Sequence, residues 1–387
     1  MLDFSMGDTA TALRARLREM ISERLPEGFL GAFTDDPEDL ATTQRFSRTL
    51  AGDGLLTLAW PREYGGADGT VWEQTVVREE MWAHHEPRGA QYMGLNWVGP
   101  AIMAHGTAEQ KRRHLPPIAA GGTIWCQGFS EPGSGSDLAS LQTRAVRVEG
   151  GWEITGQKIW TSYAGMADWC VLAARTGDKD SRHRGISLFL IPMDRPGIII
   201  RPIRSMLGPH HLNEFFLDSV HARDDEVLGE VDGGWAVMRD ALAHERVGIA
   251  RYARCERLLW LVRSALDEEW DGLPEALRDR WAGALVQTHV ARLLAYRAVE
   301  GQQHHSRVDR EASQARIAST TCDQAVAEVV AELLGGRSLL GAVDEAPLHG
   351  VFEDHWRYAQ AATVASGTIE IQREIVSREL LGRPAKN

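Results

Sequence analysis

The sequence predicts an α+β protein with an N-terminal α-helical domain, a middle antiparallel β domain and a C-terminal four-helix-bundle domain. Apolar residues recur with helical spacing on both sides of a central region of short strands. The sequence between these regions has no long linker rich in Pro, Gly or Ser, which indicates segments that pack on one another. We expect the domain bounds at residues 1–122, 123–230 and 231–387.

The N-terminal region carries helical periodicity and a helix start signal. Leu13, Leu17 and Ile21 repeat at four-residue steps. Thr107 followed by Gln110 is a capping-box pattern, which begins another helix. These features predict an all-α first domain.

The central region changes to short alternating or apolar runs separated by turn residues such as Glu149-Gly150-Gly151. Such runs are typical of an antiparallel β domain rather than of β-α-β units. The predicted strands cover residues 123–129, 143–148, 152–154, 169–173, 186–191, 198–203 and 214–217.

Beyond residue 233 the pattern is helical again. The predicted runs cover residues 234–267, 273–307, 311–335 and 368–381. The first run carries an apolar stripe formed by Trp235, Met238, Ala241, Leu242 and Ile249. Glu245 falls on this stripe, next to Arg246 in the chain. Its carboxylate is therefore either paired and structural, or buried with a raised pKa and able to accept a proton.

The bulk composition excludes several classes of function. A net charge of −12 and a pI near 5.6 argue against a nucleic-acid or anionic-membrane surface. The four cysteines have no CxxC spacing, so we expect neither a disulfide framework nor a metal site. Adjacent histidines at 84–85, 210–211 and 304–305 lack ligand spacing. With no secretory signal and no apolar run of about 20 residues, a cytoplasmic protein is expected.

Two segments have distinctive local chemistry. The first reads Phe-Ser-Glu-Pro-Gly-Ser-Gly-Ser-Asp at residues 129–137, and the second reads Gly-Gln-Lys-Ile-Trp-Thr-Ser at residues 156–162. Pro132 fixes one φ angle, while Gly133 and Gly135 permit conformations and close approaches that a Cβ would prevent. The first segment is either an ordinary turn or a cradle that presents amide N–H groups to a flat, polar ligand. Both segments are expected at strand ends.

The pair of segments resembles the two flavin-binding segments of the acyl-CoA dehydrogenase family. The resemblance covers nearly the whole chain, including Leu-x-x-Glu-Arg at 242–246 and Gly-Thr-Ile-Glu-Ile-Gln-Arg at 367–373. A nicotinamide-binding fold fits less well, because a Gly-x-Gly-x-x-Gly fingerprint is absent from the sequence. FAD is therefore the implied cofactor.

The resemblance also implies site residues. The implied cofactor-binding residues are Gln127, Phe129, Ser130, Gly135, Ser136, Trp160, Thr161, Ser162, Gly335, Gly336, Thr368 and Glu370. The implied substrate-binding residues are Ser136, Arg246 and the backbone N–H of Ser366. The implied reaction is α,β-dehydrogenation of an acyl thioester, carried by coenzyme A or an acyl carrier protein, to the trans-2-enoyl product.

The position of the catalytic base distinguishes two branches of this family. Most members carry a glutamate immediately before the C-terminal Gly-Thr, where this chain has Ser366, and a serine cannot serve as that base. A minority branch, exemplified by isovaleryl-CoA dehydrogenase, carries the glutamate on a helix at the position that matches Glu245. The resemblance therefore implies that Glu245 is the base.

Two family motifs are altered here. The Arg-x-x-Phe-Gly that reaches the FAD of a neighbouring subunit has no counterpart at residues 266–274, and Leu-Gly-Gly-x-Gly lacks its third glycine at residues 334–338. The chain is similar in this respect to bacterial members that act on bulky acyl-CoAs, including steroid side chains, some as mixed tetramers of unlike subunits. The implied partners are an electron-transferring flavoprotein and either further copies, in a dimer or tetramer, or a related subunit. A non-catalytic, FAD-bracing subunit and a flavin monooxygenase-type relative remain alternatives.

Overall fold

A computed structural model describes residues 6–31, 36–207, 211–304, 308–341 and 345–382, with the side chains of residue 179 and residues 243–248 left out. The chain forms two compact units. The helical unit combines the segments up to residue 31, residues 70–87 and the chain from residue 246. The sheet unit comprises residues 32–69 and residues 88–245. The predicted domain bounds at residues 122 and 230 stay a prediction.

The described helices are α1 (Asp8–Arg24), α2 (Pro37–Gly52), α3 (Val71–Ala83), α4 (Gln91–Met93), α5 (Gly99–His105), α6 (Ala108–Ala119), α7 (Gly234–Gly248), α8 (Arg251–Leu266), α9 (Glu275–Gln303), α10 (Asp309–Leu334), α11 (Val351–Ala361) and α12 (Ile369–Leu380). One π-helical turn, Gly94–Val98, joins α4 to α5. None of the described helices is both long and apolar enough to span a bilayer.

The predicted capping box at the start of α6 is confirmed. The Thr107 hydroxyl accepts a hydrogen bond from the Gln110 backbone N–H at 3.2 Å, and the Gln110 side chain accepts one from the Thr107 N–H at 3.0 Å. The Gln110 amide also donates to the carbonyls of Asp225 and Val227, at 2.9 and 2.8 Å. The side chain that caps α6 thus also fixes this helix to the C-terminal end of the β region.

The C-terminal helices depart from the predicted runs in two places. The single run expected at residues 234–267 is two helices, because α7 ends at Gly248 and α8 begins at Arg251. Ile249 therefore lies outside the helix that carries Glu245, and the predicted stripe is one residue shorter. The helix α11 was not predicted. It begins directly after Gly350, which has a φ of 82°, and the irregular turn that ends at this glycine interrupts the helical pattern.

The described strands are β1 (Trp125–Gly128), β2 (Arg144–Val148), β3 (Gly151–Ser162), β4 (Trp169–Arg175), β5 (Ile186–Pro192), β6 (Ile198–Pro202), β7 (Leu212–Arg223) and β8 (Val227–Leu228). The sheet order is β6-β7-β3-β2-β4-β5-β8, with β1 also paired to β4. Most strand pairs of the middle domain are antiparallel, as predicted, but β1 pairs with β4 in parallel, as does β2 at a single position. Parallel pairing here follows from the long excursion through β2 and β3 that separates β1 from β4.

The sheet encloses a core of large side chains, including Trp152, Leu172, Phe189 and Phe215. In β3 and β7 these side chains alternate with exposed ones, as expected where one face of an antiparallel pair is buried. The core fixes the register of β3, and that register places the second motif.

Candidate active site

The first motif follows directly from the end of β1. The Glu131 N–H donates to the Ser134 carbonyl at 2.9 Å, and the Ser134 N–H donates back to the Glu131 carbonyl at 3.0 Å. Pro132 and Gly133 form the exposed tip of this turn. The Ser134 hydroxyl donates to the Asp137 carbonyl at 2.8 Å. The motif is thus a tight turn at a strand end, as the pattern of Pro and Gly predicts.

The two glycines of this turn are not required by contacts within the described chain. A Cβ added at Gly133 or Gly135 would meet no described atom within 4 Å, and neither φ angle lies in the left-handed region. The described backbone conformation at these two positions therefore does not itself require glycine. No described atom would clash with a side chain at either position. The remaining steric reason for glycine is that another molecule approaches the backbone closely there.

The second motif lies within a strand rather than at the start of a loop. It forms the C-terminal half of β3, and a register shift lies between Lys158 and Thr161 in the pairing with β7. Two residues of β3 there face one residue of β7, which is a β-bulge. Trp160, in the bulge, has a φ of 61° and is 57% exposed. A bulky residue with this φ is strained, and such strain persists only where the surroundings impose it.

A buried ion pair joins the two motifs. The Lys158 ammonium lies 2.8 Å from a Glu131 carboxylate oxygen and 3.1 Å from the Phe129 carbonyl. Burial alone would raise the pKa of Glu131, but the Lys158 charge and hydrogen bonds from Thr143 and Gln142 outweigh it and hold that pKa below its usual value. Lys158 lies in the second motif, but its sequence pattern predicts no role for it.

Several polar groups of the motifs are available to a ligand. The Thr161 hydroxyl oxygen is buried and has no hydrogen-bond partner among the described residues. Gln127, Ser130 and Ser162 are half-buried, and Phe129 is buried beside them in the chain. An exposed indole, an unpaired hydroxyl and an open glycine turn fit a flat, polar group such as the flavin of FAD. These residues are therefore compatible with the predicted cofactor.

A buried guanidinium fixes the chain that follows the first motif. Arg175 donates to the carbonyls of Ala139, Leu141 and Arg182 at 2.7, 3.0 and 3.0 Å. The Arg182 side chain in turn forms an ion pair with Asp137 at 2.9 Å. One side chain of β4 thus determines the path of two loops.

Four predicted FAD-binding residues and Ser366, a predicted substrate-binding residue, lie in the helical unit. Ser366 has a φ of 59°, and the Thr368 hydroxyl caps α12 by accepting from the Ile371 N–H at 3.3 Å. Glu370 is exposed in the first turn of α12. The remaining two, Gly335 and Gly336, are exposed just after α10.

The predicted base lies on α7, the helix Gly234–Gly248. Val237, Met238 and Ala241 of this helix are buried. The side chains of Glu245 and Arg246 lie outside the described residues. The proton-transfer role of Glu245 therefore stays a prediction.

One cluster of metal-ligating side chains occurs within the described residues. Atoms of Cys255, Asp323 and His355 in the helical unit lie within 4.8 Å of one another. Arg251 and Arg254 already bind the Asp323 carboxylate, at 3.1 and 3.5 Å. Two guanidinium charges at this carboxylate disfavour a further cation, so the cluster is best described as an ion-pair core.

Comparison with known proteins identifies the family of the chain. Family models for the N-terminal, middle and C-terminal domains of acyl-CoA dehydrogenase match residues 7–122, 126–220 and 232–381. The acyl-CoA dehydrogenase IpdE1 of Mycobacterium tuberculosis is 32% identical over 96% of this chain and 97% of the relative. The chain belongs to the acyl-CoA dehydrogenase family. Members of this family are FAD-dependent oxidoreductases, and the predicted fold class is confirmed.

Other acyl-CoA dehydrogenases share the sequence or the fold. FadE34 of Mycobacterium tuberculosis is 38% identical over 87% of this chain, which spans only 45% of that relative's length. A solved structure described as the Tcur3481-Tcur3483 steroid ACAD has 29% identity and a TM-score of 0.89, and all of both chains is covered. The ChsE4-ChsE5 complex from Mycobacterium tuberculosis has 29% identity and a TM-score of 0.86, again over all of both chains.

Proposed function

We propose that the chain is an FAD-dependent acyl-CoA dehydrogenase that oxidises the Cα–Cβ bond of an acyl thioester to the trans-2-enoyl product. The observation that carries this proposal is that the buried Lys158–Glu131 ion pair holds the two motif segments together. In the second segment, Trp160 is exposed, and the Thr161 hydroxyl has no hydrogen-bond partner among the described residues. Family membership supports the same chemistry.

The motif residues would hold the cofactor. Phe129 and Ser130 would line one side of the isoalloxazine, and residues 160–162 would cover its other side. When bound, FAD supplies an acceptor for the hydride that leaves Cβ of the substrate. Thr368 and Glu370, with Gly335 and Gly336, would lie toward the adenine-nucleotide end of a cofactor.

Glu245 would remove the proton from Cα. A carboxylate that is poorly solvated has a raised pKa, in the range useful for a general base. The developing enolate requires donors at the thioester oxygen, and the backbone N–H of Ser366 would be one of them. Ser136 and Arg246 would contact the pantetheine arm and the nucleotide end of the substrate.

For the substrate we propose a bulky acyl-CoA, with steroid side chains as the first class to test. The similarity to a structure described as a steroid ACAD supports this choice. For the partner we propose a related subunit in a mixed tetramer, supported by the similarity to the ChsE4-ChsE5 complex. An electron-transferring flavoprotein is the proposed electron acceptor.

Loss of flavin reduction in Glu245→Gln tests the assignment of the base. The purified chain, reconstituted with FAD, is mixed anaerobically with a panel of acyl-CoA thioesters, and loss of the visible flavin absorbance is followed. We expect the variant to reduce flavin about 10³-fold more slowly while still binding FAD, because general-base catalysis contributes roughly that factor. Asp240→Asn, on the same helix and partly exposed beside His105, is the matched control.

A non-catalytic, FAD-bracing subunit is the second candidate, favoured by the altered motifs at residues 266–274 and 334–338. The two functions make opposite predictions for the chain expressed alone and with a related subunit. If Glu245→Gln leaves flavin reduction unchanged in the co-expressed complex, this chain braces the cofactor and its partner performs the chemistry.

A further inference from the structure

Lys158 is fully buried in the sheet unit, and its ammonium is held by two acceptors of the first motif. These are a Glu131 carboxylate oxygen at 2.8 Å and the Phe129 carbonyl at 3.1 Å. The Glu131 carboxylate also accepts the N–H groups of Gln142 and Thr143, at 2.6 and 2.8 Å. Both partners of this pair are therefore fixed by several hydrogen bonds.

The main chain adds a second connection beside the ion pair. The Ile159 N–H donates to the Ser130 carbonyl at 3.0 Å. Residues 129–131 are thus attached to residues 158–159 through a side chain and through the backbone. These two connections form a joint that constrains the distance between the two motif segments.

Stability alone does not require a charged side chain at position 158. Apolar residues of similar volume often replace buried ion pairs without loss of stability, because desolvation of the two charges offsets most of their attraction. An aliphatic residue would fill the same space in a sheet core. The use that an aliphatic residue could not serve is to fix one geometry through directed hydrogen bonds.

That use follows from the position of the pair along β3. Lys158 is the last residue in register with β7 before the bulge, since it pairs with Phe215 and the register resumes at Thr161 with Asn213. Trp160, with its strained φ, lies between these two points. Fixing Lys158 fixes one end of the bulge and hence the direction of the exposed indole.

We propose that Lys158 is a positioning residue, which sets the spacing between Phe129–Ser130 and the Trp160 bulge so that both sides of the flavin site are formed. This inference rests on the proposed function, since it assumes that the two segments bind FAD. It assigns no contact with the substrate to Lys158.

The test distinguishes a role of Lys158 in positioning the two segments from a role in neutralising the Glu131 charge. FAD is titrated into apoprotein of the wild type, Lys158→Met, Glu131→Gln and the double variant, with flavin fluorescence, the visible flavin spectrum and thermal melting as readouts. Each single variant should melt earlier, because it leaves one buried charge unpaired. The double variant removes both charges and should recover most of the melting temperature, yet bind FAD at least ~10-fold more weakly and with an altered flavin spectrum.

Arg195→Met provides a matched control in the same unit. Arg195 forms a bidentate pair with the largely buried Glu226 at 2.6 and 2.7 Å, and neither residue belongs to the motif segments. This variant should melt earlier than the wild type while keeping its FAD affinity and spectrum.

One result would overturn the positioning role of Lys158, and another would overturn the proposed function. A double variant that melts like the wild type and binds FAD as tightly, with the same spectrum, excludes a positioning role for Lys158. A folded wild-type chain that binds no FAD, alone or with a related subunit, refutes the proposed function itself.

Discussion

Two buried ion-pair clusters, one in each compact unit, have similar chemistry and different surroundings. In the sheet unit Lys158 and Glu131 join the turn after β1 to the bulged end of β3, next to an exposed, strained tryptophan. In the helical unit Asp323 of α10 binds Arg251 and Arg254 of α8. The Arg254 guanidinium also stacks 3.8 Å from the centroid of the Tyr358 ring.

The difference lies in what each cluster holds in place. Asp323 connects two helices whose contact faces are packed with buried aliphatic and aromatic side chains. Lys158 connects segments that leave an indole exposed and a hydroxyl unpaired among the described residues. We therefore expect the charge between two packed helices to affect stability, and the charge beside an exposed surface to affect binding there as well.

Asp323→Ala should have the largest effect on stability. It leaves two buried guanidinium groups without their carboxylate, and breaking such a pair costs about 3–5 kcal/mol. Urea unfolding measures the loss. FAD affinity of the fraction that remains folded should be unchanged, and a parallel loss of affinity would remove the distinction between the two clusters.

Arg175→Met should be the next most disruptive. Three carbonyls, of Ala139, Leu141 and Arg182, lose a charged donor, and unsatisfied buried acceptors cost about 1–3 kcal/mol each before relaxation and hydration. We expect a net loss of about 2–3 kcal/mol and faster proteolytic cleavage near residues 178–184. Unchanged cleavage would show that the two loops keep their path without this guanidinium.

The acid side of the stability curve should report on Glu131. Because the folded-state pKa of Glu131 is below its ordinary value of 4.5, its contribution is fully present above that value and is lost as the pH falls through the lower, folded pKa. Glu131→Gln should therefore show a shallower fall of the unfolding free energy below about pH 4.5 than the wild type. An equal slope in the two proteins would mean that folding does not lower the pKa of this carboxyl.

Trp160→Ala should have the smallest effect on stability and a clear effect on binding. The indole is 57% exposed, so the free energy of unfolding should change by no more than about 0.5 kcal/mol. FAD affinity should fall, because the exposed ring is the proposed flavin contact. Trp260→Ala, which removes a 45% exposed indole from the helical unit, should leave FAD affinity intact.

The order of helices and strands could be predicted because periodicity and capping are local. Thr107 and Gln110 form their capping box as expected, and most strands occur where alternation predicts them. The parallel pairing of β1 with β4 could not be predicted, since it depends on which strands become neighbours. The break after Gly248 was hidden because helical spacing continues through it.

The motif segments could be recognised from sequence, but the joint between them could not. Lys158 and Glu131 lie 27 residues apart in the chain, and a lysine in a strand is ordinarily solvent-exposed. Likewise, the strained φ of Trp160 results from a bulge, which depends on the register against β7. Long-range pairing thus determines the parts of the site that single-sequence patterns leave undefined.

Because the native cysteines are buried, a cysteine introduced into the glycine turn could be labelled selectively. All four native thiols, Cys126, Cys170, Cys255 and Cys322, are buried, so a maleimide dye would react slowly with them in the native protein. Gly133 lies at an exposed tip where an added side chain meets no described atom. A Gly133→Cys variant would carry a single reactive thiol there, and the dye's emission would change as a ligand enters or leaves.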